Sequence, residues 1–294
     1  MNLHDLIAIA KDKSKFVTLE DYYDFCNAYL EFIEDGIQAE IVAKAETNYR
    51  FFQYREDGGY SITRPLNKNL LLSIDNFDDS KESFQYSLQY IRDIVDNKDA
   101  RNNINKFIYT CQQAIGATLD GLPAGESNFA RKINGDLFER YIRLIIDSIG
   151  IHVEEGTECV PVIDNGEELF SMSYQHDIII KDNDVIKAIG SVKTSSKDRI
   201  DKIFIDKFLY NRLKGVDIPH FAIFLNDVQR KGKMPQYGVN TTFLTGHYKG
   251  YTVKLNPLDG VYYCDLRPVM IEDAFLRRGI RSLDCLLVED IWNL

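Results

Sequence analysis

The sequence predicts an α/β fold in which helices flank a central mixed sheet, preceded by a mainly helical amino-terminal region. Two observations lead to this prediction. A helical pattern, three strand-like segments and another helical pattern follow one another between residues 127 and 213. A short, wholly apolar segment, Phe221 to Leu225, comes next and reads as a buried strand. Helices alternating with strands are typical of an α/β core.

The first third of the chain shows mostly helical spacing. Thr18 begins a capping pattern with Asp21, and apolar residues follow at helical intervals until Gly36. Two further amphipathic helices are expected around 84–95 and 104–115. The exception is a predicted hairpin whose strands, 49–54 and 60–63, flank Asp57-Gly58-Gly59.

The segment from Gly116 to Gly125 contains glycines and a proline, and it marks the expected domain boundary near residue 120. We therefore predict two regions, 1–120 and 121–294. Ser127 then begins a helix with one apolar face that ends at Gly150.

Three predicted strands follow this helix, joined by turns with typical hairpin residues. Asn165-Gly166 lies between strands at 159–163 and 169–174, and Asp182-Asn183-Asp184 joins 174–180 to 185–192. The helical pattern at 200–213 has the length of a crossover between parallel strands. Segments 251–255 and 261–266 suggest a second sheet region, and 282–290 a closing helix.

Composition and charge restrict the function further. The net charge is −10, yet residues 187–233 hold eleven Lys/Arg against five Asp/Glu, which predicts a basic cleft in an acidic body. A chance cluster of surface lysines is the alternative. Five scattered cysteines indicate free thiols in a reducing cytoplasm, and neither a membrane-spanning run nor a secretory signal is predicted.

An acid and a lysine at the ends of two paired strands are the main candidates for chemistry. Asp177 lies in the second predicted strand of the meander, and Lys193 ends the third. Carboxylates and backbone carbonyls hold Mg2+, and Mg2+ supports phosphodiester hydrolysis. We expect Asp177 to bind the metal, the carbonyl of Val192 to add a ligand and Lys193 to assist the water. A surface salt bridge is the alternative.

The metal site needs a further acid, because Ser191 stands two residues before Lys193 where a simple nuclease site has a carboxylate. Asp206 in the following helix is the first candidate, with Asp198 and Asp201 as rivals. Glu139, in the helix that begins at Ser127, is another candidate metal ligand. Alternatively, Glu139 pairs with Arg143 on an exposed helix face, four residues further on.

In this order and spacing, the residues resemble the type II restriction endonucleases of the PD-(D/E)xK superfamily, in particular the CCGG-family and EcoRII-type branch. The resemblance covers roughly residues 125 to 250. In that branch a small residue replaces the acid before the lysine, as Ser191 does here, and a carboxylate on the next helix, here Asp206, takes over its role. The family usually has Glu at that helical position. The resemblance implies a Mg2+-dependent nuclease.

The branch also carries a basic-acidic-basic triplet that reads C·G pairs, and Lys197-Asp198-Arg199 resembles it. Independently of any family, Lys or Arg can donate to guanine and Asp can accept from cytosine in the major groove. An ordinary solvated helix start with a capping acid is the alternative. Arg230 and Lys231, in a predicted polar loop, are expected to contact phosphates.

These features together predict a sequence-specific endonuclease that cuts double-stranded DNA at a palindrome with a CC…GG core. A palindrome matches two-fold symmetry, so a homodimer is expected. The family resemblance also implies a partner methyltransferase that protects host DNA. A less specific repair or junction nuclease, and a DNA-binding regulator with a decayed site, are the alternatives.

Overall fold

The computed structural model describes residues 1–56, 59–197, 199–233 and 236–294, and the side chains of 55, 56, 59 and 60 also lie outside the description. The helices are α1 Leu3–Lys11, α2 Leu19–Gly36, α3 Phe77–Gln89, α4 Lys98–Leu119, α5 Ser127–Ser148, α6 Ile200–Lys214, α7 Thr245–Lys254, α8 Pro268–Glu272 and α9 Leu283–Val288. The strands are β1 Ile37–Val42, β2 Tyr49–Glu56, β3 Gly59–Ile62, β4 Leu66–Asn67, β5 Val153–Asp164, β6 Glu167–Asp182, β7 Val185–Ser195, β8 His220–Asn226, β9 Val228–Lys233, β10 Gln236–Thr241, β11 Gly260–Tyr263 and β12 Ile280–Ser282.

A six-stranded mixed sheet forms the centre of the molecule, in the order β12-β11-β8-β7-β6-β5. Strands β7, β8, β11 and β12 run parallel, whereas β5 and β6 join through antiparallel pairing. Helix α6 connects the parallel neighbours β7 and β8, as its length predicts. The predicted α/β class with a mixed sheet is therefore confirmed.

Both predicted meander turns are two-residue hairpin turns. Asn165 and Gly166 have φ of 50° and 87°, and Asn183 and Asp184 have φ of 49° and 64°. Positive φ at both central residues is the hairpin geometry that Asn, Asp and Gly tolerate best. The second turn starts the pairing of β6 with β7, and a one-residue register shift between Ile180 and Lys181 then sets the pairs nearest Asp177 and Lys193.

The amino-terminal region is mainly helical, as predicted, but it also contains a small sheet. Strands β1, β3 and β4 all pair antiparallel with β2. The β2–β3 hairpin was expected, although its turn residues Asp57 and Gly58 lie outside the described residues. Strand β1, which follows α2 directly after Gly36, is not predicted by the sequence patterns.

One large apolar core links the predicted regions 1–120 and 121–294. It contains residues of α2 and α4, the inner face of α5, and strand residues such as Ile178, Val192 and Ile223. A second cluster packs α6 and α7 against the other side of β8 and β11. The division near residue 120 remains a prediction.

Two expectations for the carboxyl-terminal part were wrong. Residues 251–254 belong to α7, because Tyr251 packs against Phe204 of α6 with ring centroids 5.6 Å apart. The segment 261–266 forms no second sheet, since β11 pairs with β8 and extends the central one. In the part of the chain that the structure describes, none of the helices is both long and apolar enough to cross a membrane.

Candidate active site

The end of the β6–β7 pairing carries the predicted acid and lysine. Pairing between these strands runs from Asp182↔Val185 to Ile178↔Gly190. Asp177 lies just beyond the last pair, and its Oδ2 accepts a hydrogen bond of 2.9 Å from the backbone N–H of Val192. This hydrogen bond replaces the next backbone bond between the two strands and fixes the carboxylate where the β6–β7 pairing ends.

Lys193 joins two carboxylates at this point. Its Nζ lies 2.5 Å from Oδ2 of Asp177 and 2.8 Å from Oε1 of Glu139. Glu139 comes from α5, which packs along β7. The side chains of Asp177, Glu139 and Lys193 are 10, 20 and 29% exposed, so the group is held firmly and still reaches solvent. This placement favours the site interpretation of Glu139 over an exposed pair with Arg143.

Burial and charge act together on the ionisation of this group. Burial raises the pKa of Glu139 and the nearby Asp177 adds to the rise, while Lys193 partly offsets it. Burial alone would lower the pKa of the Lys193 ammonium, but Asp177 and Glu139 outweigh it and raise that pKa. Lys193 is therefore a stable cation between two acids.

A β-bulge positions Asp177. Strand β5 pairs with β6 as Gly156↔His176 and then Glu154↔Ile179, so β6 contains one extra residue opposite β5. As a result, His176 packs with aromatic rings on the α6 side while Ile178 joins the core against α5. A bulge of this kind redirects a side chain that regular alternation would send elsewhere.

Arg143 holds this bulge in place, a role at the site that the sequence patterns do not predict. Its Nη1 donates to the carbonyl of Asp177 at 3.1 Å, and its Nη2 lies 2.8 Å from Oε2 of Glu155 on β5. It stands one turn after Glu139 on α5. That four-residue spacing was the one available signal that both side chains face the same strands.

The remaining predicted metal ligands have other contacts. Asp206 pairs with Lys202 on α6, and its charge acts on Tyr174 and His176, on the face of β6 that packs against α6. Val192 donates a hydrogen bond to Asp177 from its backbone N–H. Ser191 is half-buried and pairs with Ala222 of β8. Among the described residues, no three His, Cys, Asp or Glu side chains are already gathered as a metal cluster.

The predicted recognition residues lie next to this group along the chain. Lys197 and Arg199 are exposed immediately before α6, and the backbone N–H of Lys197 donates to Ser195 Oγ at 3.3 Å. Asp198, the acid of the triplet, lies outside the described residues. The segment with Arg230 and Lys231 is not a loop as predicted, because it pairs with β10 as strand β9. Both side chains are exposed, and β9 follows β8 at the carboxyl edge of the sheet. Since Ser195 pairs with Asn226, the ends of β7 and β8 meet at that same edge.

The donor set suits a hard divalent cation. Asp177 and Glu139 direct two carboxylate oxygens at one position, and the Lys193 ammonium shows that this position stabilises positive charge. Mg2+ is commonly held by one or two carboxylates, with water and substrate phosphate completing the shell. The residues therefore fit Mg2+, and the partial exposure of all three leaves room for the other ligands.

Comparison with known proteins identifies the fold. No protein-family model matches the sequence, and no curated protein sequence matches it. The crystal structure of the type IIP restriction endonuclease Kpn2I is similar over 99% of this chain and 96% of that one, with a TM-score of 0.72 and 19% sequence identity. The restriction endonuclease PspGI, in a complex with substrate DNA, gives a TM-score of 0.43 at 12% identity, over 74% of this chain and 91% of that one. From end to end, this chain has the fold of a type IIP restriction endonuclease.

Proposed function

We propose that this protein is a type II restriction endonuclease that cuts both strands of DNA in a Mg2+-dependent reaction. One observation carries the proposal: Asp177, Glu139 and Lys193 meet at a partly exposed edge of a sheet in a restriction-endonuclease fold. A lone surface salt bridge does not require a bulge, a second acid from a helix and an arginine anchor. Hydrolysis of a phosphodiester does require such groups to be held in place.

Each residue of the group has a role in the proposed reaction. Asp177 and Glu139 hold the metal, which when bound supplies positive charge at the phosphate and makes a water molecule more acidic. Lys193 donates to the attacking water or to a phosphate oxygen, and it offsets the growing negative charge. Ser191 leaves space where a simple nuclease site has an acid.

Asp206 and the Val192 carbonyl are two further proposed metal ligands. Asp206 would join the metal after leaving Lys202, and the Val192 carbonyl would add an oxygen. Asp206 is on the helix that follows Lys193, which is where the resembled enzymes carry their additional carboxylate. Loss of metal binding on Asp206→Asn would support that role.

The proposed target is a palindrome with a CC…GG core, of the CCGG or CCNGG type. Lys197 and Arg199 are exposed next to the site, where they can donate to guanine, and Asp198 would accept from cytosine. Arg230 and Lys231 would hold backbone phosphates. We propose that two copies act as a homodimer, that region 1–120 contacts flanking DNA or the second copy, and that a methyltransferase protects the same site.

The decisive experiment is digestion of phage DNA by the purified protein with Mg2+, followed by sequencing of the fragment ends. Discrete fragments that share one end sequence support the proposal. Smeared products point to a repair or junction nuclease, and binding without cutting points to a DNA-binding regulator. Either of those results would overturn it.

Variants connect the activity to the site. Asp177→Ala and Lys193→Ala should abolish cleavage while preserving DNA binding in Ca2+. Lys187→Ala is a matched control, because Lys187 lies on the same strand as Lys193 and is exposed. It should cut at the parental rate. Cleavage by Asp177→Ala at the parental rate would show that Asp177 is not a required metal ligand.

A further inference from the structure

A polar cleft of about 660 Å3 opens between the small amino-terminal sheet, the start of α5 and the β9–β10 hairpin. Pockets that bind small ligands or parts of larger ones commonly have volumes of 300–1,000 Å3. We call it the arginine cleft. Its lining includes Arg64, Asp120, Arg131, Arg230 and Tyr237.

The charge of the arginine cleft is positive in a protein whose net charge is −10. Asp120 is neutralised by Arg64, which donates to it from Nε and Nη2 at 2.9 Å each. Arg131 and Arg230 add two further positive charges, so the lining as a whole carries +2. An anion is therefore the ligand that this cleft favours.

Both of the additional arginines are held in position. Nη1 of Arg230 donates to the carbonyls of Ile62 and Thr63, and its guanidinium lies 5.5 Å from the ring centre of Tyr237. Arg131 donates to Ser127 and Asn128 within the first turn of α5. Each side chain is nevertheless exposed, and a fixed guanidinium loses little entropy when it binds a phosphate.

The walls of the arginine cleft are also fixed to one another. The backbone N–H of Lys44 donates to the Tyr237 carbonyl at 2.8 Å, joining the amino-terminal sheet to the β9–β10 hairpin. Phe51, Val228 and Tyr237 share a small apolar cluster at the same junction. The cleft is therefore present before any ligand arrives.

The topology places the arginine cleft and the proposed site along one surface. Arg230 lies on β9, which follows β8, and β8 ends at the same edge of the sheet as β7, which ends two residues after Lys193. Arg131 and Glu139 are eight residues apart on α5, which is about 12 Å at 1.5 Å per residue. That length is about three to four base pairs of DNA at 3.4 Å each.

We infer that the arginine cleft binds the phosphodiester backbone of DNA, about three to four base pairs from the cleaved bond, with Arg131 and Arg230 as phosphate ligands. This inference rests on the proposed function and adds Arg131 to the residues that contact DNA. The cleft positions the duplex and reads no bases. A free nucleotide has the same phosphate chemistry and is tested separately.

The experiment measures the salt dependence of DNA binding in Ca2+, which does not require cleavage. The plot of log K against log salt concentration has a negative slope, and each lost phosphate contact makes it less steep by about 0.9. Arg131→Ala and Arg230→Ala should each produce that decrease on a duplex with long flanks, and Arg131→Ala should have no effect on a duplex trimmed to the recognised core. Arg131 is the more reliable variant, because its hydrogen bonds stay within its own helix turn.

Arg212→Ala is the charge-matched control. Arg212 is exposed near the end of α6, which returns from β7 to the start of β8, so it lies toward the opposite edge of the sheet. An Arg131→Ala slope equal to that of Arg212→Ala would overturn the inference. So would tight binding of free deoxynucleotide by the parent with no change in DNA binding. A protein that binds DNA with the expected slopes but never cuts would overturn only the proposed function.

Discussion

Asp227 provides a quantitative test of the structure, because it is a carboxyl group with no exposed surface. It follows β8 directly, and among the described residues neither of its carboxylate oxygens has a hydrogen-bond partner. The nearest cation is Arg267, with Nε 3.8 Å from Oδ1, and Arg267 also pairs with Glu46 at 2.7 Å. Burial raises the pKa of Asp227 from 3.8 to about 7, and Arg267 offsets only part of that rise.

The rise corresponds to about 4 kcal/mol, since each pKa unit is worth 1.36 kcal/mol. In the folded protein Asp227 keeps its proton up to about pH 7, whereas in the unfolded chain it loses the proton near pH 3.8. The free energy of unfolding is therefore not reduced by this group below pH 3.8. It falls as the pH rises from 3.8 to about 7, because the unfolded chain releases the proton first. At higher pH the folded protein contains a buried charge.

The perturbation is Asp227→Asn, which keeps the shape and removes the charge. Urea unfolding should show that the variant gains about 3 kcal/mol over the parent between about pH 5 and about pH 8. Glu167→Gln, at the exposed tip of the β5–β6 hairpin, is the control and should show no such trend. A stability difference between Asp227→Asn and the parent that stays constant with pH would refute the reasoning.

Three other predictions concern the site. Glu139→Gln should reduce the cleavage rate more than about 100-fold, because it weakens a metal ligand and a Lys193 contact, and extra Mg2+ should restore part of the rate. Arg143→Met should slow cleavage by about 10- to 100-fold and raise the Mg2+ concentration needed, since it releases the bulge that holds Asp177, while Glu155→Gln should have a smaller effect. Arg199→Ala should weaken specific binding by about 1–3 kcal/mol and leave nonspecific binding nearly unchanged. Rates measured over a Mg2+ series and competition binding in Ca2+ check them, and parental values for all three variants would contradict the site.

The sequence was sufficient to predict the contact between Asp177 and Lys193. Both residues belong to a hairpin whose two-residue turn is evident in the sequence, and this turn makes the two strands neighbours. The final register also depends on a one-residue shift between Ile180 and Lys181, which the sequence patterns do not predict. Glu139 was a candidate because α5 has a clear apolar face. The direction of its carboxylate depends on how α5 packs against β7. This packing is a tertiary contact, so the helical pattern alone does not predict it.

Other features depended on contacts between distant parts of the chain. The β6 bulge arises from pairing with β5, and the role of Arg143 follows from that bulge. The side-chain direction of Asp206 depends on the rotation of α6, which the sequence leaves open. Residues 251–255 alternate like a strand, but packing against Phe204 selects a helix, since short apolar segments are ambiguous by periodicity.

The most direct test of the central claim is the Mg2+ dependence of DNA cleavage by the parent and by Lys193→Ala, measured on phage DNA with the ends sequenced. The account predicts that the parent gives discrete fragments with a common CC…GG core only when Mg2+ is present, and that Lys193→Ala gives none. Uncut DNA with the parent at every Mg2+ concentration, or equal cutting by both proteins, would contradict it.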